Sequence, residues 1–459
     1  MRYRSTRGLS PDLSFSQVVL EGLARDGGLY LPESLPQFGS RLSELSRLRY
    51  QDLGMEIFTP FMTPDFNPGE IAELVERSCQ NFEHREITPL VKGGDHWILE
   101  LWHGPTLAFK DVALQFLGNL FEVLLKRSGG ELNILGATSG DTGSAAIHGV
   151  RGKERVRIFI LHPQGKVSQV QERQMTSVLD DNVVNVAVTG TFDDAQSCVK
   201  EIFSDLEFKD HYHLGAINSI NWARVMAQIV YYFYGYFRWQ EKTGGQAAVF
   251  SVPTGNFGDI FAGILAKRMG LPIKKLVLGT NENDILSRAF QSGDYSTKAV
   301  VPTISPSMDI QLASNFERYL YFLADQNPEV LRRWMEELGK TGAIKLEPAL
   351  LAKAQAEVQA FRVDRTLASD VMNRYLKRGS ALDPHTAVGV GAAELSGEKD
   401  VICLSTAHPA KFSEAFEAAT GQRPKIPASI LALEGKPTRV VTSAATKSAI
   451  QKLMTEKIG

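Results

Sequence analysis

Short, nearly continuous apolar runs alternate with longer segments of helical spacing from about residue 97 onward. Continuous apolar runs are typical of strands that are buried on both faces of a sheet. Strands that alternate with helices favour a parallel sheet covered by helices on both sides, so the predicted fold class is α/β. The predicted strands are 97–101, 132–135, 156–161, 183–188, 248–252, 276–278 and 401–404.

The parts of the chain outside these runs have a different pattern. Residues 1–85 are predicted to form a mainly helical, turn-rich leader domain, because SFSQVVLEGLARDGG has helical spacing and ends at paired glycines. Residues 305–395 also have a largely helical pattern. The segment 431–459 is interpreted as a C-terminal extension that is too short to fold alone. A chain of 459 residues is long enough for two or three packed subdomains.

Composition excludes several classes of protein. The formal net charge is −2 with mixed acidic and basic residues, so no nucleic-acid partner is expected. No apolar stretch reaches the roughly 18 residues of a membrane span, and the N-terminus lacks a signal-peptide core. The three cysteines lack the spacing of a metal site or a disulfide framework, so we expect no metal and a reducing compartment. We therefore predict a cytoplasmic protein, either a monomer or a homodimer.

Lys110 is the first candidate for chemistry. It follows a predicted strand and a Gly104-Pro105 turn, and it lies about where the helix DVALQFLGNLFEVLL begins. The helix macrodipole disfavours an ammonium at this end, and a neutral amine can attack a carbonyl to form a Schiff base. The alternative is a surface lysine on a first helical turn. Apolar neighbours make burial the better interpretation: Ala108, Phe109, Val112 and Ala113.

Two glycine-rich loops follow predicted strands and precede predicted helices. They are GATSGDTGS at 136–144 and PTGNFGD at 253–259. Glycines let the backbone approach a ligand, and free N–H groups at a helix N-terminus bind carboxylates and phosphates. Each loop alone is weak evidence, because many α/β proteins use glycines only to turn. The GVGAAE sequence at 389–394 departs from the dinucleotide-binding fingerprint and is interpreted as helix packing.

Several motifs together resemble the fold-type II pyridoxal-phosphate enzymes, the tryptophan synthase β-like group, and more closely the threonine synthases. They are FSQVVLEGLARDGGLYLPESLP, HGPTLAFKD, GATSGDTG, NSINWARV, DPHTAVG and STAHPAKF. HGPTLAFKD and the leader are specific to threonine synthases, whereas the glycine loops occur across the wider group. The resemblance implies two open twisted sheets flanked by helices. Residues 86–430 would then form a catalytic region of two α/β subdomains with the active site between them.

The resemblance also implies pyridoxal 5'-phosphate as the cofactor and O-phospho-L-homoserine as the substrate. Lys110 would form the Schiff base with the cofactor and then act as the mobile acid and base. The other cofactor-binding residues would be Gly255, Asn256, Phe257 and Gly258 at the cofactor phosphate, Thr406 at the pyridine nitrogen, and Asp141. The substrate-binding residues would be Thr138, Ser139 and Thr142 at its carboxylate, and Asn218, Ser219 and Arg224 at its phosphate.

The last of these assignments has an independent chemical argument. Asn218 and Ser219 have the pattern of a helix N-cap, so backbone donors would lie beside them. Arg224 follows a little over one turn later, and its guanidinium suits phosphate oxygens. The alternative is a capped helix with an exposed arginine, and residue chemistry alone favours it. The phosphate pocket is therefore implied by the resemblance.

Asp141 departs from the pattern of the related dehydratases, which usually have asparagine there in contact with the ring oxygen of the cofactor. A carboxylate would repel that oxygen unless a proton is shared between them. We hypothesise that Asp141 either shares this proton or points away and contributes only its backbone.

The implied reaction is β,γ-elimination of phosphate from O-phospho-L-homoserine followed by addition of water, which makes threonine. Two alternatives remain at this stage. A phospho-lyase or dehydratase would use the same lysine and loops and release 2-oxobutyrate. A non-catalytic protein on the same fold is disfavoured by the presence of Lys110, both glycine loops and Thr406 together.

Overall fold

The computed structural model describes all of residues 1–459. Its strands are β1 (Tyr3–Ser5), β2 (Tyr30–Pro32), β3 (Leu90–Gly93), β4 (His96–Glu100), β5 (Leu132–Ala137), β6 (Val156–Pro163), β7 (Val183–Thr189), β8 (Leu214–Gly215), β9 (Ala248–Pro253), β10 (Ile273–Thr280), β11 (Asp294–Ser296), β12 (Ala343–Lys345), β13 (Val358–Arg362), β14 (Ile402–Ser405) and β15 (Val441–Ala444).

The helices are α1 (Phe15–Glu21), α2 (Leu42–Leu45), α3 (Tyr50–Met62), α4 (Pro68–Cys79), α5 (Lys110–Ser128), α6 (Asp141–Val150), α7 (Gln169–Thr176), α8 (Phe192–Ser204), α9 (Leu206–His211), α10 (Trp222–Thr243), α11 (Gly258–Arg268), α12 (Ile285–Ser292), α13 (Phe316–Leu323), α14 (Pro328–Thr341), α15 (Pro348–Glu357), α16 (Arg365–Lys377), α17 (Pro384–Ser396), α18 (Ser413–Thr420), α19 (Ala428–Leu431) and α20 (Lys447–Ile458). None of them is both long and apolar enough to cross a bilayer.

Two separate sheets carry the fold. The larger one has the strand order β13-β10-β9-β14-β4-β3, and only β3 runs antiparallel to its neighbour. The smaller one has the order β15-β7-β6-β5-β8 and is parallel throughout. Helices cover both sheets. The predicted α/β class with two helix-flanked sheets is confirmed, and all the strands predicted from apolar runs lie within these two sheets.

Four strands of these sheets were absent from the prediction: β3, β8, β13 and β15. β13 lies within the region 305–395 that was interpreted as largely helical, and it follows α15 directly. β15 lies in the C-terminal extension and pairs with β7, although its side chains alternate only between half-buried and exposed. An edge strand needs little apolar pattern, because one neighbouring strand supplies its backbone hydrogen bonds.

The leader is mainly helical, as predicted, with one small antiparallel pair formed by β1 and β2. Its helices pack on α5 and α10, and their side chains belong to the same apolar core as the larger sheet. The aromatic run 231–239 within α10 is part of this core, with Tyr231, Tyr232 and Phe233 fully buried. The leader therefore supports the helices that carry site residues.

Helices α5 and α6 meet at very close range. A Cβ atom added to Gly118 in α5 would overlap the carbonyl oxygen of Gly149 in α6. Only glycine allows two helix backbones to approach in this way. The contact joins the helix that begins at Lys110 to the helix that begins at Asp141, and so it brings the loops of the two sheets together.

The GVGAAE sequence lies inside α17, where helix packing was predicted. The Ser251 hydroxyl of β9 donates to the Gly389 carbonyl oxygen at 2.5 Å, and α17 packs on β9 and β10. The helix interpretation is confirmed.

Candidate active site

Lys110 is the first residue of α5, immediately after the loop that leaves β4. The loop is tied to the strand next to β4, because the Phe109 N–H donates to the Thr406 carbonyl oxygen at 2.8 Å. Thr106 donates to the Asp111 carboxylate through both its N–H and its hydroxyl, at 2.8 and 2.7 Å. The Lys110 side chain is only 11% exposed. The prediction that this lysine is buried is confirmed.

The charge state of Lys110 depends on its surroundings. Burial lowers the pKa of its amine from the ordinary value, and it is the largest cause of the shift. Asp141, whose Oδ2 lies 3.7 Å from Nζ, acts in the opposite direction. The positive charges of Lys411 and Arg224 lower the pKa further. Burial therefore shifts Lys110 towards the neutral form, which is the direction that the helix macrodipole also predicts.

Residues 138–143 comprise the loop from β5 to α6 and the first turn of α6. The Thr138 hydroxyl oxygen accepts hydrogen bonds from the N–H groups of Gly140 and Gly143, at 2.9 and 2.8 Å. Ser139 is exposed and Thr142 is half-buried. The N–H groups of Ser139, Asp141 and Thr142 make no hydrogen bond within the chain. Free N–H donors at a helix N-terminus can bind a carboxylate. The loop could therefore bind the substrate carboxylate, as predicted.

The loop 254–257 connects β9 to α11 and has a matching arrangement. Phe257 is its last residue, with a left-handed φ of 65°, and its ring packs against Phe290, Phe316 and Tyr319. No hydrogen bond within the chain uses the N–H groups of the four residues predicted to bind the cofactor phosphate, which are Gly255, Asn256, Phe257 and Gly258. These are free donors at a helix N-terminus, which is the kind of group that binds phosphate.

Gly255 lies against the loop that contains the 3₁₀ turn Pro306–Met308. A Cβ atom at Gly255 would lie 3.0 Å from the Ser307 carbonyl oxygen and 3.4 Å from the Met308 Cα. A side chain at this position would therefore fit only if the backbone around Ser307 moved by a few tenths of an ångström. Together with the buried amine of Lys110, this donor cradle fits a cofactor that carries an aldehyde and a phosphate.

Gly255→Ala is expected to weaken binding of pyridoxal phosphate by about 5-fold to 150-fold, because overpacking costs about 1–3 kcal/mol and the loop must move away from Ser307. The dissociation constant of the cofactor, measured by fluorescence, checks this. Gly339→Ala is the matched control, because Gly339 lies in α14 with no atom within 4 Å of an added Cβ. If both variants bound the cofactor as tightly as the parent, the assignment of this loop to the cofactor phosphate would be contradicted.

The segment predicted to bind the substrate phosphate differs from the prediction in one respect. The N-cap of α10 is Asn221, whose side chain accepts from the Ala223 N–H at 3.1 Å. The interpretation of Asn218 and Ser219 as the N-cap pair is wrong. A second asparagine three residues later offers the same capping chemistry, and local pattern alone does not distinguish the two. Asn218 is exposed and Ser219 is half-buried on the turn before the cap.

Arg224 is buried, not exposed as the alternative interpretation of this helix required. Its Nη1 donates to the Ile217 carbonyl oxygen at 3.1 Å, while its buried Nε has no partner. No carboxylate forms an ion pair with it, and burial lowers the pKa of the guanidinium to about 10. A buried cation without a counter-charge is costly, so this side chain is suited to receive an anion.

Asn315 joins the two segments that are predicted to bind phosphate groups. Its N–H donates to the Asn256 carbonyl oxygen at 3.0 Å, and its side-chain amide donates to the Ser219 carbonyl oxygen at 3.1 Å. The Ser219 hydroxyl also lies 3.4 Å from the Ser314 hydroxyl. The fold thus places the NSINWAR turn beside the PTGNFGD loop.

Thr406 follows β14 and lies beside the Lys110 loop. Its N–H donates to the Thr386 hydroxyl at 3.2 Å and its carbonyl oxygen accepts from Phe109, but its own hydroxyl makes no hydrogen bond within the chain. A free, largely buried hydroxyl at this place agrees with the predicted contact to a ring nitrogen.

Sequence reasoning missed the group that holds the Asp141 carboxylate. Oδ1 binds Lys411 Nζ at 2.8 Å and accepts from Gln171 Nε2 at 2.8 Å, while Oδ2 accepts from the Ser307 hydroxyl at 3.2 Å. The Ser307 N–H in turn donates to His385 Nε2 at 3.1 Å. The sequence contains only a weak indication of these contacts. It consists of a lysine in STAHPAKF and a histidine in DPHTAVG, each among mostly apolar residues.

Comparison with known proteins agrees with this geometry. Three family models match in succession: "Threonine synthase N terminus" over residues 2–79, "Pyridoxal-phosphate dependent enzyme" over 83–407, and "Threonine synthase, C-terminal" over 386–454.

Individual relatives cover nearly the whole chain. Threonine synthase of Schizosaccharomyces pombe is 46% identical over 91% of this chain and 89% of its own length. That of Pseudomonas aeruginosa is 46% identical over 93% and 92%. A pyridoxal-phosphate-bound threonine synthase structure from Brucella melitensis aligns with a TM-score of 0.96 at 42% identity, covering 100% of this chain and 99% of that one. The chain therefore belongs to the threonine synthase family, and it is a pyridoxal-phosphate-dependent lyase with threonine synthase function.

Proposed function

We propose that this chain converts O-phospho-L-homoserine and water to L-threonine and phosphate, with Lys110 as the reacting amine and Arg224 as the main ligand of the substrate phosphate. The observation that carries this proposal is the second anion site. The PTGNFGD loop provides donors for one phosphate, and the unpaired, buried Arg224 provides a cation for another. A substrate without its own phosphate would leave Arg224 uncompensated.

The cofactor would be held by Lys110 through its amine, by the four residues 255–258 at its phosphate, and by Thr406 at its pyridine nitrogen. When bound, pyridoxal phosphate supplies an electron sink that stabilises negative charge on the substrate carbons. Asp141 lies close enough to Lys110 Nζ, at 3.7 Å, to orient that side chain. We assign it to the cofactor site in this positioning role.

The substrate would be held at both ends. The free N–H groups at the start of α6 and the hydroxyls of Thr138, Ser139 and Thr142 bind its carboxylate. Asn218, Ser219 and Arg224 bind its phosphate. Fixing both ends orients the carbon chain between them and lowers the entropic cost of reaching the transition state.

Proton transfer is assigned to Lys110. As a neutral amine it accepts the α-proton of the substrate and, once that proton is released, it accepts the β-proton, whose removal frees the electron pair that expels the γ-phosphate. As the resulting ammonium it returns a proton to the γ-carbon; water then adds at the β-carbon and a proton is restored at the α-carbon. Arg224 stabilises the additional negative charge that forms on the leaving phosphate. Burial of the amine assists both steps, since it keeps the pKa of Lys110 below its ordinary value.

The product distinguishes this reaction from its closest alternative. Incubation of the cofactor-loaded protein with O-phospho-L-homoserine is expected to give threonine and inorganic phosphate in equal amounts, measured by amino-acid analysis and a phosphate assay. Phosphate with 2-oxobutyrate and ammonia, and no threonine, would instead make the chain a phospho-lyase that uses the same site. Boiled protein and protein freed of cofactor are the controls.

We also propose a cytoplasmic location and a monomeric or homodimeric state without a nucleic-acid partner. The mixed surface charge and the three free cysteines support this. We further propose that the chain divides into domains at 1–85, 86–430 and 431–459. The large sheet begins at Leu90, after the leader, and the C-terminal extension contributes the edge strand β15 to the smaller sheet.

A further inference from the structure

Lys411 is a fully buried lysine that the proposed reaction does not use. It lies in the 3₁₀ turn Pro409–Phe412, which follows β14 and Thr406. Its side chain is 0% exposed, and Nζ lies 2.8 Å from Asp141 Oδ1 and 2.7 Å from the Thr106 carbonyl oxygen. A buried ammonium is rare unless it is paired, so this cation requires the Asp141 carboxylate.

The Asp141 carboxylate is shared between two lysines. Its Oδ1 is bound by Lys411 and Gln171, and its Oδ2 by Ser307, while Lys110 Nζ stays 3.7 Å away. Burial would raise the pKa of Asp141, but the charges of Lys411 and Lys110 hold it well below its usual range. The group is therefore a carboxylate, and the shorter of its two ion pairs is the one with Lys411.

The competition between the two lysines has a chemical consequence. A carboxylate within about 4–6 Å stabilises an ammonium and raises its pKa by about 1–3 units. If Asp141 were paired with Lys110 alone, it would hold that amine in its protonated form. A protonated amine neither attacks a carbonyl nor accepts a proton.

We propose that Lys411 is a positioning residue: it holds Asp141 in place and cancels the carboxylate charge, so that Lys110 is left to react as a neutral amine. The ion pair then presents no net charge to Lys110, which is what an asparagine side chain would present at position 141. This inference rests on the proposed function only in taking Lys110 as the reacting amine.

Other charged or titratable groups around the pair are few. The charge of Arg224 from α10 lowers the pKa of Lys110, and His385 from α17 lowers that of Asp141. Lys411 is close enough to Asp111 on α5 and His148 on α6 to lower the pKa of each. Burial is nevertheless the largest cause at both, raising the pKa of Asp111 to about 6 and lowering that of His148 to about 4. These groups remain unchanged in the variants below.

The test measures the ionisation of Lys110 directly in the full chain freed of pyridoxal phosphate. Acetic anhydride labels neutral amines, and mass spectrometry of the peptide that contains Lys110 gives the labelling rate at each pH. For Lys411→Met the midpoint of this pH profile is expected to rise by about 1 unit or more, so labelling below the midpoint slows about tenfold or more. For Asp141→Asn, which leaves the Lys411 cation, the midpoint is expected to fall.

The double variant Asp141→Asn/Lys411→Met checks the consistency of the cycle. Removing both charges is expected to bring the midpoint back to within about half a unit of the parent, because the rise in one single variant and the fall in the other offset each other. Lys153→Met is the matched control. Lys153 is a partly buried lysine bonded to Asn119 at 2.6 Å, and its charge is not among those that shift Lys110.

Specific outcomes would overturn the proposal. An unchanged midpoint in a folded Lys411→Met protein would do so, and so would a midpoint that fails to fall in Asp141→Asn. If Lys411→Met does not fold, the midpoint of Asp141→Asn still tests the proposal. In the loaded enzyme, the pH at which the visible absorbance of the cofactor changes is expected to rise in Lys411→Met and to return in the double variant. Absence of threonine production by the parent would refute the proposed function but would leave these midpoints interpretable.

Discussion

Lys110→Ala is expected to lower the turnover number by about 10⁴-fold or more and to remove the visible absorbance of the bound cofactor. Proton transfer by a positioned side chain alone is worth about 10²–10⁴-fold, and this side chain is also assigned the covalent attachment. Threonine formation and the absorption spectrum of protein reconstituted with pyridoxal phosphate check the two effects separately.

The fold should survive this substitution. Lys110 forms one ion pair, with Asp141 at 3.7 Å, and Lys411 still neutralises that carboxylate in the variant. Circular dichroism and the unfolding temperature of the cofactor-free protein are therefore expected to be close to those of the parent. Substantial remaining turnover, in a variant that retains the parent spectrum, would refute the assignment of Lys110.

Arg224→Met is expected to lower kcat/KM for O-phospho-L-homoserine by about 30-fold to 5000-fold. Loss of one partner of a buried, hydrogen-bonded charge pair costs about 2–5 kcal/mol, and each 1.36 kcal/mol is about tenfold in rate. The cofactor spectrum should not change, because the cofactor phosphate is assigned to the loop that precedes α11. Steady-state kinetics on the reconstituted enzyme measure the first effect.

Phosphate binding at Arg224 can also be tested without measuring turnover, through the unfolding temperature. Inorganic phosphate is expected to raise the unfolding temperature of the parent by binding at Arg224, and to raise that of Arg224→Met much less. Without phosphate, the variant should be no less stable than the parent, because it no longer buries an unpaired cation.

Arg238→Met provides the matched control on the same helix. Arg238 is a partly buried arginine that donates to the Ser46 carbonyl oxygen, and it lies 14 positions further along α10, about 21 Å by helix geometry. It should leave kcat/KM and the phosphate effect unchanged. Equal losses in both variants would show that the helix tolerates no arginine change and would remove the support for a phosphate site.

The contacts of Asp141 bear on one of the two alternatives that the sequence left open. The carboxylate was expected either to share a proton with the ring oxygen of the cofactor or to point away. In the structure it does not point away, because Lys411, Gln171 and Ser307 hold it beside Lys110; proton sharing with the cofactor stays a prediction. The lysine that compensates its charge lies 270 positions later, in a motif that drew attention only through its resemblance to relatives.

The sequence alone was sufficient to predict the features that depend only on residues close together in the chain. Buried strands appear as apolar runs, and each strand–loop–helix unit is contiguous, so the strands, the position of Lys110 and both glycine loops were predictable. The free N–H groups of those loops follow from the start of a helix, which is also a local property. The edge strands β13 and β15 escaped prediction because strand pairing, not apolar pattern, defines them.

Tertiary structure alone decided the electrostatics of the site. Whether Arg224 is exposed or buried, and whether Asp141 is paired, depends on groups brought together from both sheets and from α10. Burial and distance determine the free energy of a charge, and neither is encoded in the spacing of neighbouring residues. The sequence determined which side chains were available for chemistry, while the packing of the two sheets decided which were buried, which were paired and which had no partner.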